Sequence, residues 1–174
     1  KSNAHMNKKI NYTLNLDKTG NLLSQAEIIY TNSSPSNSWP AGNYKNYLRV
    51  FVPRGSKLEN VSVNGENVTS QFESFDDGKL TFFAGYLLVP FNSAKSIKFS
   101  YTQPKGLDPA AKINEYYFYY QKQAGTYGIE FNYLFKHPDF IKVSSPDSLK
   151  YSTQTASFTA KIETSFSVSF QTAR

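Results

Sequence analysis

The apolar residues of this chain recur at every second position, and no stretch of about a dozen residues spaces them as a helix would. Ile10, Tyr12, Leu14 and Leu16 alternate with Asn11, Thr13 and Asn15. A two-residue period puts the first set on one face of an extended strand and the second set on the other. Such runs return about every ten residues, separated by turn residues, which is the rhythm of a sandwich or barrel. Asp17-Lys18-Thr19-Gly20 divides the first run from "NLLSQAEIIYTN", so residues 9–31 read as a hairpin. "YKNYLRVFVP" sets Tyr47, Arg49 and Phe51 on one face and Leu48, Val50 and Val52 on the other, and Pro53 ends it. Asn64-Gly65, Asp77-Gly78 and Gly125 supply tight turns. "AKSIKFSYTQP" turns Ile97, Phe99 and Tyr101 inward, and near the C-terminus Phe166, Val168 and Phe170 alternate with serines. The expected fold is all-β, an antiparallel two-sheet β-sandwich, Ig-like in general architecture.

One run resists the pattern. In "NEYYFYYQKQAGTYGIEFNYLF", Tyr116, Phe118 and Tyr120 alternate with Tyr117 and Tyr119, so the strand is aromatic on both faces. Gln123 to Thr126 reads as a turn, with residues 127–136 running back as the partner strand. The strand is expected inside its sheet, with one face in the core. The loop Ser33 to Asn43, carrying Trp39 and Pro40, is expected to cover Tyr117 and Tyr119, helped by the connector Gly106 to Ala111. The alternative is an exposed aromatic platform for a glycan or a partner protein.

"KSNAHM", residues 1–6, reads as a cleavage and cloning remnant. Residues 7–174 are then expected to form a single domain, weakest at 104–111, with a core that needs no staples. The chain has no cysteine, which rules out disulfides, zinc-thiolate sites and thiol catalysis within it. The net charge is +6, but the lysines are scattered rather than clustered on a stripe, so no nucleic-acid partner is expected. No run approaches the ~18 apolar residues of a membrane-spanning helix. If the protein is exported, its targeting segment lies outside this sequence.

Little here carries chemistry. His137 is the one histidine beyond the first six residues, and no G-x-S-x-G turn accompanies it. Glu73, Asp76, Asp77, Glu115 and Glu130 are the carboxylates that a glycosidase pair would draw on. Asp76-Asp77-Gly78 is more simply a hairpin turn, and Glu115 and Glu130 are placed to face each other, or Lys122, across strands. Neither a calcium loop nor a phosphate-cradling glycine loop is present. No catalytic residue, metal site or cofactor is expected. Arg49 lies mid-strand among aromatic residues, where it can stack on a tyrosine, pair with a carboxylate or carbonyl, or meet an acidic ligand.

Three segments in order carry a family resemblance. They are "WPAGNYKNYLRVFVPRGSKLENV" (Trp39 to Val61), "KLTFFAGYLLVPFNSAKSIKFSY" (Lys79 to Tyr101) and "YYFYYQKQAGT" (Tyr116 to Thr126). Residues 39–126 thus resemble the C-terminal region of the domain-of-unknown-function family 4012, with Ala124 where that family often has proline. The resemblance implies a membrane-anchored bacterial envelope protein, this portion lying outside the membrane at the cell surface or in the cell envelope. It implies no activity. The expected function is a non-catalytic extracytoplasmic module with a scaffold or protein-interaction role. The alternative is a carbohydrate-binding module for cell-wall or capsular polysaccharide. The expected partners are an envelope glycan or another envelope protein, met by a surface drawn from Trp39, Tyr44, Arg49, Tyr117 and Tyr119.

Overall fold

The computed structural model describes residues 2–173 apart from 40, 105, 109–110, 124–125, 127 and 146–148. The turn placed at Gly125 and the lid residue Pro40 therefore lie outside the described residues. Among those described, the chain is all-β. Its fourteen strands are joined by turns and two short 3-10 segments. They are β1 (Met6–Leu16), β2 (Leu22–Asn32), β3 (Tyr44–Pro53), β4 (Lys57–Val63), β5 (Glu66–Asn67), β6 (Phe72–Asp76), β7 (Leu80–Val89), β8 (Ser93–Thr102), β9 (Asn114–Tyr120), β10 (Ile129–Lys136), β11 (Lys142–Ser144), β12 (Lys150–Ser152), β13 (Thr155–Ile162) and β14 (Phe166–Ala173).

Three sheets form where two were expected. The largest has eight strands in the order β12-β13-β10-β1-β2-β8-β4-β5, and the smaller two run β11-β14-β9 and β3-β7-β6. The large sheet is mixed, because β1 and β10 pair in parallel with Ile10 opposite Phe131. Both small sheets lie against one face of the large one. From β9, Phe118 reaches Tyr12 and Tyr133, with ring centroids 4.8 and 5.2 Å away. Phe170 of β14 meets Phe135 at 4.5 Å. On the other side Phe72 of β6 packs edge-on against Phe99 at 5.3 Å, and Phe83 of β7 meets Tyr101 at 5.5 Å. The covered face is the one the two-residue period marks as apolar. The opposite face carries Asn11, Glu27, Ser96, Asn132 and Thr159, linked across strands by side-chain hydrogen bonds.

Turn chemistry follows the sequence closely. The carboxylate of Asp17 accepts the backbone N–H of Thr19 and of Asn21, at 2.8 and 2.9 Å, closing the β1–β2 hairpin. Asn64 and Gly65 both have positive φ, 50° and 90°, as a two-residue hairpin turn requires. Asp77 Oδ1 accepts from Lys79 and Leu80 N–H at the β6–β7 turn.

Several expectations are corrected. The first hairpin begins at Met6, opposite Asn32, and the His5 carbonyl accepts from the Ser33 N–H and hydroxyl. Met6, the last of the six residues read as a remnant, therefore pairs in the sheet. β9 and β10 do not form a hairpin: β9 pairs with β14, and β10 lies between β1 and β13. Tyr116, Phe118 and Tyr120 instead cap the inward face of the large sheet, so the chain crosses between layers after Tyr120. β9 is also an edge strand rather than an interior one. Glu115 and Glu130 consequently do not meet: Glu130 pairs with Lys9 at 2.6 Å, and Glu115 accepts from Gln171.

Candidate interaction surface

The sheet β3-β7-β6 has two apolar faces. Its inward face holds Leu48, Val52, Phe72, Phe83, Leu87 and Val89, all buried. Register fixes what the outward face presents. Phe51, Phe82 and Phe75 form one row across the three strands, with centroid separations of 5.2 and 5.0 Å. Tyr47 opposite Tyr86 forms another, at 4.9 Å. Between these rows Arg49 and Glu73 flank Ala84. The small side chain of Ala84 is only 2% exposed although it points outward, because larger neighbours surround it.

Arg49 occupies the middle of this surface. Its guanidinium carbon lies 5.4 Å from the Tyr47 ring centre and 5.7 Å from that of Phe82, bracketed by the two aromatic rows. Such stacking holds a guanidinium in place while leaving its donors free to meet another molecule. Tyr86 is 78% exposed and Phe51 53%, so the surface is open to solvent. An Arg54–Asp76 ion pair at 3.0 Å borders it.

The expected surface residues divide between places. Tyr44 is half-buried and packs on Tyr30, with ring centres 6.0 Å apart. Tyr117 and Tyr119 lie on the outward face of β9 opposite Ser169 and Ser167, and are 65% and 55% exposed. The expected lid does not cover them. Trp39, in the loop meant to do so, is itself 88% exposed. Asn32 holds that loop elsewhere, donating to the carbonyls of Gly42 and Val89. Of the five residues, only Arg49 sits in a built aromatic surface. Sequence reading missed Phe82, Tyr86 and Phe75. The signal for Phe82 and Tyr86 was present in "LTFFAGYLLV", where both alternating sets are largely apolar, as in β9, whereas Phe75 joins them only through the pairing of β6 with β7.

His137 is buried beside Phe135, and its Nδ1–H donates to the Pro138 carbonyl at 2.9 Å. It borders an open depression of about 410 Å³ in which Asp17 is the one carboxylate among the described lining residues. Asp17 is committed to its turn. Hydrogen bonds from the Thr19 side chain first, and then from Asn21, lower its pKa to about 2. Among the described residues no three His, Asp or Glu side chains converge as metal ligands would.

No family model matches the chain, and no curated protein does either. Solved structures do. Native yeast LTA4 hydrolase is similar at TM-score 0.52 and 9% identity, over 97% of this chain and 29% of that one. The same enzyme in complex with bestatin gives TM-score 0.53 and 8% identity, over 98% and 29%. An M1 zinc metallopeptidase from Deinococcus radiodurans gives TM-score 0.42 and 6% identity, over 97% and 42%. The chain thus spans 29% of the length of the yeast hydrolase chains, and the likeness to them is one of fold.

Proposed function

We propose that this chain is a non-catalytic docking module that engages another protein through the outward face of β3-β7-β6. The observation that carries the reading is Arg49 held between the Tyr47–Tyr86 row and the Phe51–Phe82–Phe75 row on an exposed surface. Protein interfaces favour this composition, because aromatic rings contribute large contact area with little loss of side-chain freedom, and an arginine already stacked on them has less freedom left to lose. A contiguous exposed apolar patch on a single chain is itself a sign of an interaction site. The architecture suits the role when read as a β-sandwich with one layer split between two small sheets. In yeast LTA4 hydrolase a similar fold accounts for 29% of a longer chain, in keeping with a module. The resemblance to family 4012 supports an extracytoplasmic setting, with a membrane anchor outside this sequence.

The test is a photo-crosslinking residue at Tyr86, introduced into the protein in its native cell. A discrete protein adduct that disappears on Arg49→Ala supports the reading. Crosslinks to polysaccharide alone would overturn it. They would favour the second reading, a carbohydrate-binding module, which the exposure of Tyr117, Tyr119 and Trp39 supports. Affinity electrophoresis in cell-wall polysaccharide, with and without the Tyr117→Ala, Tyr119→Ala double change, tests that alternative directly.

A further inference from the structure

Among the described residues the two small sheets are not hydrogen-bonded to one another. β3 is the edge of one and β9 the edge of the other. β3 lies over β2, with Tyr44 against Tyr30 and Asn46 Nδ2 3.4 Å from the Tyr30 hydroxyl. β9 lies over β1 and β10, through Phe118 against Tyr12 and Phe131. Since β1 and β2 are neighbours, the two edges face each other across a seam above that pair.

The floor of the seam is distinctive. Ile10 pairs opposite Ile28, on the same face as buried Tyr12 and Tyr30, yet both isoleucines are only partly buried. Two residues further along, Lys8 pairs opposite Tyr30. The Lys8 ammonium lies 5.4 Å from the Tyr30 ring centre and 3.4 Å from Gln123 Oε1. Among the described residues no carboxylate lies within ion-pair distance of it. Burial lowers its pKa, the direction of a cation that has lost water without gaining a counter-ion. Along both edges, no loop backbone group among the described residues bonds to the backbone of 45–52 or 115–120. Half of the backbone donors and acceptors of an edge strand point away from its single partner.

We propose that the seam receives an extended segment of a partner protein, with an apolar side chain over Ile10–Ile28 and a carboxylate two residues along at Lys8. The spacing follows from strand geometry, since residues i and i+2 of an inserted segment face the same floor. Backbone pairing to β3, β9 or both supplies affinity, as in recognition by strand addition. The Ile10–Ile28 floor and Lys8 supply selectivity. The site is separate from the aromatic face of β3-β7-β6 and does not depend on it.

The probe is a fluorescent, end-blocked peptide of sequence TVTITETK, titrated against the purified chain by anisotropy. Its isoleucine and glutamate have the required spacing. Saturable binding below about 1 mM is expected. It should weaken about tenfold or more when the peptide glutamate becomes lysine, or when the protein carries Lys8→Glu. Combining the two reversals should restore it, which also shows that the variant is folded. Amide exchange should slow along Asn46–Val52 or Tyr116–Tyr120 in the complex. No saturable binding overturns the proposal. So does binding that ignores Lys8→Glu, or that is lost on Tyr86→Ala, a change on the other surface.

Discussion

The Nδ2 of Asn132 donates to Oδ1 of Asn11 at 2.9 Å, across the parallel β1–β10 pair. Asn11 passes the chain on, donating to Glu27, which also accepts from the Ser96 hydroxyl, while Thr159 donates to Asn132. One polar line therefore crosses five strands on the outer face of the large sheet. Removing one member strands the next, so Asn132→Ala should cost ~1 kcal/mol. A double-mutant cycle with Asn11→Ala should show coupling of ~0.5 kcal/mol or more, read from urea midpoints. Strict additivity would mean that water replaces the link without loss.

Gly85 and Phe72 are cross-strand partners, and the Phe72 ring lies where a Gly85 side chain would be. A Cβ at Gly85 would sit 2.5 Å from Phe72 Cδ1 and 2.8 Å from the Gln71 carbonyl oxygen. Gly85→Ala is expected to destabilise by ~1–3 kcal/mol through overpacking. In a Phe72→Leu background the same change should cost less, because part of the obstructing ring is gone. Equal costs in both backgrounds would place the clash on the Gln71 backbone instead.

The two faces of β9 should respond differently. Phe118 meets Tyr12, Phe131, Tyr133 and Phe166, so Phe118→Ala is expected to cost ~3 kcal/mol. The Tyr117→Ala, Tyr119→Ala double change should cost about 1 kcal/mol or less, reflecting strand preference and cross-strand contact alone. Thermal melts of the two variants decide the matter. A large loss from the tyrosine pair would mean that something in the folded chain covers them.

Asp17 gives the β1–β2 turn a pH dependence. Its pKa moves from the ordinary ~3.9 of an unfolded chain to about 2 in the fold, with hydrogen bonding from Thr19 as the largest cause. Folding therefore favours the ionised carboxylate. That stabilisation is complete above pH ~4 and is lost as pH falls toward ~2. Wild type should exceed Asp17→Ala in stability by ~1 kcal/mol at neutral pH. The gap should narrow progressively between pH ~4 and ~2. A gap that stays constant across that range would show that the charge is not what holds the turn.

Strands, their faces and their tight turns were largely legible in the sequence because each depends on local rules. Leu48 and Val52 are buried while Tyr47, Arg49 and Phe51 look outward, as the two-residue period requires. Asn64-Gly65 turns because that pair accepts positive φ. Arg49 stacks on an aromatic neighbour, one of the roles its position in the strand allowed. Alternation identifies the buried face only where the other face is polar. In β7 and β9 both faces are largely apolar, so local pattern cannot choose between them. Which face is covered depends on which distant surface competes for it. For β9 that surface is the ring cluster of Tyr12, Phe131 and Tyr133, which draws in Phe118 and leaves Tyr117 and Tyr119 exposed. The parallel partnership of β1 with β10, the edge position of β9 and the seam it forms with β3 arise in the same way. Each joins residues far apart in the chain, and each is decided by the aggregate burial of the assembled layers rather than by any motif.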